Sequence, residues 1–372
     1  MKAPLGFGTM RLPFSDGDQT KIEIDKVSKM FDLFLERGFT YFDTSYVYHG
    51  GASEIAVRKA LVERHPRDSF TIATKHPIFK LKSEDQVEKF FNEQLEKLGV
   101  DYFDYYLLHN LSQSRYEQLV EKFHVFDFVK KMKEQGKIKH IGFSLHDSSD
   151  VLDRILTEHP EVEFVQIVIN YFDWDSVAIQ SRKNYETIRK HGKKVVIMET
   201  VKGGMLSTVP KSVEDQMKKL RPNDSVTSWA VRFAASLDGV LAVLSGMSSL
   251  EQVDDNTKTM ADFAPITDDE KKFLAQATDI IRESGPMHKK NFDWVQDRAV
   301  AEVLDSYNAV MIQPIPAFSA EHSYYPELLL KKGLKRDESV LPSKVVDESG
   351  KDITDQAKTA EETLRKMGFY YL

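Results

Sequence analysis

The segment DKVSKMFDLFLERGFTYFDTS, residues 25–45, contains a helix pattern followed directly by a strand pattern. Apolar residues recur in its first half at intervals of three and four positions, which is the spacing of one helix face. These residues are Val27, Met30, Phe31, Phe34 and Leu35. Gly38 follows as a stop signal, and the aromatic and β-branched run TYFDTS then predicts a strand. The segment therefore predicts a helix that leads straight into a strand, as in α/β folds.

The same alternation of short β-branched or aromatic runs with longer amphipathic runs continues through most of the chain. The predicted strands cover residues 4–9, 40–45, 70–75, 102–109, 138–144, 164–170, 194–200 and 239–245. A helix is predicted over residues 83–100, with Ser83 as its N-cap and Gly99 near its end. Another is predicted over residues 116–136, which end on a glycine. The repetition indicates eight βα units.

The character and number of the predicted strands indicate the fold class. They read as continuous apolar runs, which favours a parallel sheet covered by helices. Eight βα units within roughly 250 residues fit a (β/α)8 TIM barrel. A doubly wound open sheet is the alternative, because periodicity alone does not separate the two. The segment GFGTMR, residues 6–11, has two glycines of a dinucleotide-binding GxGxxG turn but lacks the third, so we expect the barrel.

The βα rhythm stops after residue 264. Residues 267–284 predict one more helix, capped by Thr267, and residues 284–290 predict a break. Beyond the break lie a helix-like run at 292–310, an irregular Pro- and Tyr-containing run at 313–327, and a charged tail with an aromatic end. We therefore expect a barrel over residues 1–285 and a C-terminal extension over residues 286–372 that packs on the barrel, with its aromatic end docked.

The composition excludes several classes of function. The 372-residue chain carries 51 Lys and Arg against 58 Asp and Glu, and its formal net charge of −7 argues against a nucleic-acid or anionic-membrane partner. It contains no cysteine, so disulfides and thiolate metal sites are excluded. Histidines and carboxylates show no spacing such as HExxH, so we expect no metal site. With no signal-peptide-like start and no run of about 18 apolar residues, we expect a cytoplasmic protein.

Polar residues at or just after the ends of predicted strands form a candidate catalytic group. In a barrel, the carboxyl ends of the strands face the mouth of the active site. The residues placed there by the second, third and fourth strands are Asp43, Tyr48, Lys75 and His109. A neighbouring ammonium lowers the pKa of a tyrosine, and a carboxylate keeps a buried lysine charged. We expect this group to deliver a proton to a carbonyl oxygen, with Tyr48 as the general acid.

These residues stand in segments that resemble a known family. GFGTMR, FDTSYVYHGGASE, IATK, YYLLH, IGFS, VQIVINY, METVKGGML and LSGMSSLEQVDDN occur in this order between residues 4 and 262 and resemble the aldo/keto reductase superfamily. Members are (β/α)8 barrels that bind nicotinamide cofactors without a Rossmann domain and reduce aldehydes or ketones. The resemblance implies an NAD(P)H-dependent reductase of a small-molecule carbonyl substrate. It also implies a catalytic tetrad formed by Asp43, Tyr48, Lys75 and His109.

The resemblance further implies a set of cofactor-binding residues. They are Gly8, Thr9, Met10, Asp43, Ser144, Gln166, Met198, Thr200, Val201, Gly203, Leu206, Gly246, Met247, Ser248, Gln252 and Asn256. NADPH is the cofactor expected of the family. NADH stays an alternative, because Gly246 and Gln252 stand where many NADP-specific relatives carry a lysine and an arginine for the 2′-phosphate. Similar relatives often continue into a cysteine-rich ferredoxin-like segment, whereas this cysteine-free chain has no thiolates for an iron–sulfur cluster.

Two other functions stay open at this level. A nicotinamide-binding redox sensor that acts on a partner through the C-terminal extension would keep the same cofactor site. A Schiff-base lyase with Lys75 as nucleophile would need a neutral amine, which Asp43 opposes. His146 could face the same mouth, but we interpret it as a loop residue. We interpret Ser53 as the cap of the helix that follows the Gly-Gly pair. The carbonyl substrate, the oligomeric state and the role of the extension do not follow from the sequence.

Overall fold

Eight parallel strands close into a barrel in the order β1 to β8, and β8 pairs back onto β1. The structure is a computed structural model that describes residues 3–287, 292, 294–295, 297–312, 329, 332–335 and 337–366. The strands are β1 (Leu5–Gly8), β2 (Tyr41–Asp43), β3 (Thr71–His76), β4 (Phe103–Leu111), β5 (Ile138–Leu145), β6 (Phe164–Val168), β7 (Lys194–Met198) and β8 (Val240–Ser245). All eight predicted strands are confirmed, and the closed ring rules out the open doubly wound sheet.

Helices follow the strands around the outside of the barrel. Within the described ranges they are α1 (Ile24–Glu36), α2 (Ser53–Val57), α3 (Asp85–Leu98), α4 (Gln113–Arg115), α5 (Val125–Glu134), α6 (Ser149–Glu158), α7 (Ser181–Lys190), α8 (Lys211–Leu220), α9 (Val226–Ala235), α10 (Leu250–Ala261), α11 (Asp268–Glu283), α12 (Arg298–Ile312) and α13 (Thr354–Lys366). Short 3-10 turns occupy Thr9–Arg11, Tyr48–Gly51, Arg67–Ser69, Ile78–Lys80 and Lys202–Ser207. Two π-helical turns, Arg58–Val62 and Tyr116–Glu121, complete the set.

The helix and strand of residues 25–45 dock on each other through phenylalanine rings. Phe31 of α1 and Phe42 of β2 lie edge to face with ring centroids 4.8 Å apart, and Phe7 of β1 is 4.9 Å from Phe31. Phe34, one turn further along α1, contacts both strands. Such contacts add specific geometry to the burial of large apolar rings. They fix the position of β2 and therefore of Asp43 at its end.

The strands are apolar on both faces because the barrel interior is packed as well as the helix-covered outside. Interior side chains form a separate apolar cluster: Tyr41, Ala73, Leu107, Phe164, Val196, Ala242 and Leu244. Gly142 of β5 leaves space for this packing, since a Cβ there would lie 2.5 Å from the ring Cζ of Phe164. The interior of the barrel is therefore a packed apolar core, as expected of this architecture.

The helix predicted over residues 116–136 is interrupted in the structure. Its first part forms the π-helical turn Tyr116–Glu121, and α5 begins only after His124. His124 has a φ of 50°, in the left-handed region, and such a residue does not continue a right-handed helix. The amphipathic pattern correctly predicts α5 but not the break before it.

One predicted helix cap is confirmed and another is wrong. Thr267 and Glu270 form a capping box at the start of α11, as predicted. Ser83 does not cap α3, whose N-cap position is Glu84 without a side-chain bond. The side chain of Gln86 folds back instead and accepts the backbone N–H of Lys82 at 2.8 Å.

Helices α12 and α13 of the C-terminal extension pack on each other, and α12 contacts the barrel part of the chain. Arg282 of α11 forms a buried ion pair with Asp305 of α12, and the hydroxyl of Ser176 donates to Asp305 Oδ2 at 2.8 Å. Asn308 Nδ2 donates to the backbone oxygen of Arg282 at 2.9 Å. The helix-like run predicted from residue 292 begins only at Arg298. The division of the chain at residue 285 stays a prediction.

Two predicted features fall on residues that the structure does not describe. They are the irregular run at 313–327 and the aromatic end beyond residue 366. Among the described residues, no helix is both long enough and apolar enough to cross a bilayer. In the same part of the chain, no group of three or more histidines and carboxylates is arranged to hold a metal ion.

Candidate active site

A cavity of about 610 Å³ opens at the carboxyl ends of the strands. The parallel barrel directs every strand end to this side, so residues far apart in the sequence meet here. The four predicted catalytic residues, Asp43, Tyr48, Lys75 and His109, all line the cavity. Asp43 ends β2, Lys75 lies near the end of β3, His109 lies on β4, and Tyr48 begins the turn after β2. The structure therefore brings the whole predicted group together.

Lys75 and Asp43 form a buried ion pair within this group. Lys75 Nζ donates to Asp43 Oδ1 at 2.6 Å and to the backbone oxygen of Thr44 at 2.8 Å. Burial lowers the pKa of Lys75 and raises the pKa of Asp43, while the attraction between the two groups opposes both shifts. The ammonium thus has two fixed acceptors, and its position is determined by neighbouring strands β2 and β3.

The rings of Tyr48 and His109 stand next to this ion pair. Lys75 Nζ lies 4.9 Å from the centroid of the Tyr48 ring, and the Tyr48 and His109 rings are 5.9 Å apart in a T-shaped arrangement. Ser45 Oγ is 3.1 Å from His109 Nδ1, which sets the orientation of the imidazole. A positive charge close to a phenol favours its phenolate form. The arrangement suits proton transfer from Tyr48 to a bound molecule.

The backbone after Tyr48 is held in a left-handed turn. His49 and Gly50 have φ values of 54° and 62° inside the 3-10 turn Tyr48–Gly51. His49 is buried, and its Nε2 accepts the Leu12 N–H at 3.2 Å while its Nδ1 lies 3.0 Å from the backbone oxygen of Gln19. Burial lowers the pKa of His49, which favours the neutral ring that these two bonds require. His49 therefore anchors the loop that carries Tyr48.

Ser53 does not cap α2, contrary to the prediction. The N-cap position is Ala52, and it makes no side-chain bond to the helix. The Ser53 hydroxyl instead lies 2.8 Å from Thr9 Oγ1 and 2.9 Å from Thr44 Oγ1, in a fully buried cluster. The hydroxyl joins the loops after β1 and β2, and this tertiary role replaces the local one.

Behind Lys75 lies a buried carboxyl group, Glu54, that sequence reasoning did not select. Glu54 Oε1 accepts from Thr74 Oγ1 at 2.8 Å and from Gln94 Nε2 at 2.7 Å. Gln94 Nε2 also lies 3.1 Å from the backbone oxygen of Lys75, and Gln94 Oε1 accepts from the Tyr106 hydroxyl at 2.7 Å. The network ties β3 to α3 and β4. Helix α2 has only five residues, too few for a pattern that would mark Glu54 as buried.

Burial raises the pKa of Glu54 from 4.5 to about 7, which makes a prediction for stability. The folded protein binds this proton more tightly than the unfolded chain, so the stabilisation is complete below pH 4.5 and is lost as the pH rises through 7. Relative to Glu54→Gln, the free energy of unfolding of the wild type should fall by roughly 3 kcal/mol between pH 4.5 and 8. Urea denaturation at several pH values measures this difference.

The variant Glu96→Gln, at an exposed carboxylate of α3, is the matched control for Glu54→Gln. A constant difference between wild type and Glu54→Gln across this pH range would show that Glu54 keeps an ordinary pKa.

Most of the predicted cofactor-binding residues line the same cavity. They are Gly8, Met10, Asp43, Ser144, Gln166, Met198, Thr200, Val201, Gly203, Gly246, Met247, Ser248, Gln252 and Asn256. Thr9 and Leu206 are fully buried and do not belong to its lining. Thr9 is bound in the Ser53 cluster, and Leu206 packs into the core between barrel and helices. Any contact of these two with a ligand would have to come from their backbone.

Within the part of the chain that the structure describes, no hydrogen-bond partner is found for the buried acceptors Asp43 Oδ2, Gln166 Oε1 and Asn256 Oδ1, which belong to lining residues. The other side-chain atoms of two of these residues are engaged, since Gln166 Nε2 contacts Met198 Sδ at 3.6 Å and Asn256 Nδ2 donates to Ser245 Oγ at 2.8 Å. A buried acceptor without a partner costs free energy, and a bound molecule with N–H or O–H donors would remove that cost. The cavity is therefore built to receive a polar ligand.

Among the described residues between β8 and the end of α10, none that lines the cavity has a basic side chain. Gly246 and Gln252 are exposed, and Gln252 Oε1 accepts the Ser248 N–H at 2.7 Å. Glu251 and Asp255 add two carboxylates to this edge. Arg11 approaches from the loop after β1, where its Cγ would lie 3.3 Å from a Cβ at Gly246. The local charge at this edge is mixed.

Several lining residues were not predicted as site residues. They include Arg11, Phe79, Asn110, Ser112, Arg115 and His146. His146 is a loop residue, as predicted, and because it directly follows β5 it also lines the cavity. The strand-end rule would have selected His146 and Asn110. Phe79 and Arg115 come from turns whose direction the sequence does not indicate.

A closed parallel barrel that gathers an acid–base group and unsatisfied acceptors in one cavity at its strand ends defines the protein as a (β/α)8 barrel with an enzyme-like site. The family model described as the aldo/keto reductase family matches residues 4–279. The chain belongs to this family.

Two individual relatives match this chain at 36% and 25% sequence identity. A probable aldo-keto reductase from Glycine max is 36% identical over 172 residues, which cover 44% of this chain and 46% of that protein. L-galactose dehydrogenase of Arabidopsis thaliana is 25% identical over 290 residues, which cover 72% of this chain and 87% of that protein. The matched part of the chain thus spans less than half the length of the soybean relative.

Among the solved structures of similar fold are two aldo-keto reductases from bacteria. One from Bacillus halodurans aligns with a TM-score of 0.57 at 23% identity and covers 74% of this chain and 92% of its own. One from Klebsiella pneumoniae, solved in complex with NADPH, aligns with a TM-score of 0.59 at 18% identity. The alignment covers 74% of this chain and 95% of the Klebsiella chain. At these identities the likeness shows the fold alone.

Proposed function

We propose that the protein is an NADPH-dependent oxidoreductase that reduces an aldehyde or ketone to an alcohol, with Tyr48 as the general acid. The observation that carries this proposal is the position of Tyr48 in a cavity at the strand ends. Its ring centroid lies 4.9 Å from Lys75 Nζ, and its ring stands beside that of His109. A tyrosine is a useful acid near neutral pH only when a fixed positive charge stabilises its phenolate. The Lys75–Asp43 pair supplies that charge in a fixed place.

Each of the four residues has a distinct role in this mechanism. Tyr48 donates its proton to the carbonyl oxygen as negative charge develops there. Lys75 stabilises the phenolate that forms, and Asp43 holds the ammonium in position. His109, oriented by Ser45, donates a hydrogen bond that aligns the carbonyl. The cofactor, when bound, supplies the hydride, while the protein supplies position and proton.

The unsatisfied acceptors of the cavity fit a nicotinamide dinucleotide. Gln166 Oε1 would accept from the carboxamide N–H groups, with Ser144 beside it in register on β5. Asn256 Oδ1 would accept from the adenine amine, and Asp43 Oδ2 from a ribose hydroxyl. Gly203 and Gly204, with φ values of 61° and 93°, give the loop after β7 a backbone that a pyrophosphate can approach closely.

The choice of NADPH is supported by relatives. A Klebsiella pneumoniae neighbour was solved with NADPH and another with NADP, and a Schizosaccharomyces pombe relative that is 29% identical over 177 residues is named for NADP(+). A fluorescence titration with NADPH and NADH, followed by a panel of aldehydes and ketones with the tighter cofactor, tests the proposal. We expect NADPH to bind and at least one carbonyl to be reduced. Absence of cofactor binding at millimolar concentration would overturn it.

The replacement Gln252→Arg should strengthen NADPH binding. Gln252 is exposed at the edge between β8 and α10, and an arginine there offers a charged, bidentate donor to a 2′-phosphate. We expect the Kd for NADPH to fall by roughly tenfold or more and the Kd for NADH to stay within about twofold. Equal effects on the two cofactors would show that the 2′-phosphate does not lie at this edge. Leu250→Arg, also exposed on α10, is the matched control for added charge.

The geometry of the site also bears on the Schiff-base lyase hypothesis. A Schiff-base role for Lys75 is disfavoured, because its amine donates to both Asp43 and the Thr44 carbonyl and is fully buried. The redox-sensor hypothesis and the cytoplasmic location stay predictions. The complete catalytic group favours the enzyme over a sensor.

A further inference from the structure

The carboxylates of the cavity are unevenly distributed around its wall. Three carboxylates, Glu199, Glu251 and Asp255, follow β7 or lie on α10, where most of the proposed cofactor residues also lie. The opposite side is formed by residues on and after β3, β4 and β5. Among the described residues that line this opposite side, none is a carboxylate, and the group includes Arg115 and the imidazoles of His109 and His146.

Arg115 is held in place by the local structure after β4. Asn110 has a φ of 61° and turns the chain, and Ser112 then caps a single helical turn by accepting the Arg115 N–H with its hydroxyl. The guanidinium Nη1 donates to the backbone oxygen of Asn110 at 3.1 Å. Its Cζ lies 5.8 Å from the centroid of the Phe79 ring. The side chain is therefore directed by a hydrogen bond and an aromatic ring, both at the cavity wall.

A continuous series of ring contacts links Arg115 to the proposed acid. Phe79, beneath the guanidinium, is 5.5 Å from the His109 ring, and His109 is 5.9 Å from Tyr48. Arg115 thus lies on the same wall as Tyr48, two rings away. A molecule whose carbonyl oxygen meets Tyr48 and whose body lies along Phe79 would extend towards the guanidinium.

The chemistry of arginine indicates what that end of the molecule carries. The guanidinium is always charged, and its planar fork matches the two oxygens of a carboxylate or phosphate. We propose that the substrate is an aldehyde or ketone that also bears an anionic oxygen group, which Arg115 binds while Tyr48 protonates the carbonyl oxygen. This inference rests on the proposed reductase function and names the substrate class of the same site.

Three para-substituted benzaldehydes separate the effect of charge from that of shape. They are 4-carboxybenzaldehyde, 4-formylphenyl phosphate and the uncharged methyl 4-formylbenzoate, each assayed with NADPH. We expect Arg115→Gln to lower kcat/KM for at least one of the two anions by roughly 10- to 100-fold, mainly through KM. The methyl ester should change by less than about threefold. The anion that loses more identifies carboxylate or phosphate as the preferred group.

Arg11→Gln is the matched control, because Arg11 is another arginine of the cavity but lies by Gly246 on the β8 side. It should leave the ratio of anion to ester unchanged. NADPH titration verifies that Arg115→Gln is folded. If that variant does not fold, Arg115→Lys replaces it in the experiment, because lysine keeps the positive charge but lacks the planar guanidinium. Equal losses on anions and ester, or no loss on either, would overturn the inference while leaving the reductase intact. If the wild type binds NADPH but reduces none of the three aldehydes, the result would count against both this inference and the proposed reductase function.

Discussion

The Tyr48→Phe variant is expected to reduce carbonyls roughly 100- to 10,000-fold more slowly than the wild type, while its affinity for NADPH changes by less than about threefold. The replacement removes one hydroxyl and keeps the ring that packs on His109 and Lys75. Without the phenol, the oxygen of the carbonyl has no fixed proton donor at the position where charge develops. Steady-state kinetics with a substrate from the panel and a fluorescence titration with NADPH measure the two quantities separately.

Tyr46→Phe is the matched control for this experiment. Tyr46 stands two residues earlier, and its hydroxyl donates to Glu93 Oε2 at 2.7 Å, outside the cavity lining. We expect this variant to keep its turnover. If Tyr48→Phe retained more than a tenth of the wild-type kcat, another group would have to be the acid, and the proposed mechanism would be wrong.

Lys75→Met is expected to lower both activity and stability. It removes the ammonium that stabilises the phenolate, and it leaves Asp43 buried without its partner. Breaking a buried ion pair in this way costs roughly 3–5 kcal/mol of the free energy of unfolding. The pKa of Asp43, already raised by burial, should rise further, so the loss should grow as the pH rises above 3.8, the ordinary value for Asp. Urea denaturation at pH 5 and pH 8 measures it.

The double variant Lys75→Met, Asp43→Asn tests the reason for that loss. With the uncompensated charge gone, most of the stability should return, although the activity should not. Lys211→Met provides the control, because Lys211 forms exposed ion pairs with Glu214 and Asp215 on α8, and its replacement should change the stability little. A double variant as unstable as Lys75→Met would mean that lost packing, and not the charge of Asp43, causes the destabilisation.

Residue patterns along the chain predicted all eight strands, whereas their closure into a barrel was established by the pairing of β8 with β1. Hydrophobic periodicity is a local property, and in this architecture each strand is followed by its own helix, so local patterns repeat in the order of the final structure. The strand-end rule selected Asp43, Lys75 and His109 for the same reason. Where a local signal competed with tertiary contacts it failed, as with the hydroxyl of Ser53, which binds Thr9 and Thr44 instead of capping α2.

The segment that opens the fold, residues 25–45, shows where this limit lies. Its pattern determined a helix, a strand and a polar residue at the strand end, because those depend on spacing alone. Only the tertiary structure decided that Glu54 and Gln94 stand behind Lys75, that His49 fixes the loop of Tyr48, and that Arg115 shares a wall with the proposed acid. These contacts join residues from different βα units, and the direction of a turn or a long side chain is set by the neighbours that surround it in space.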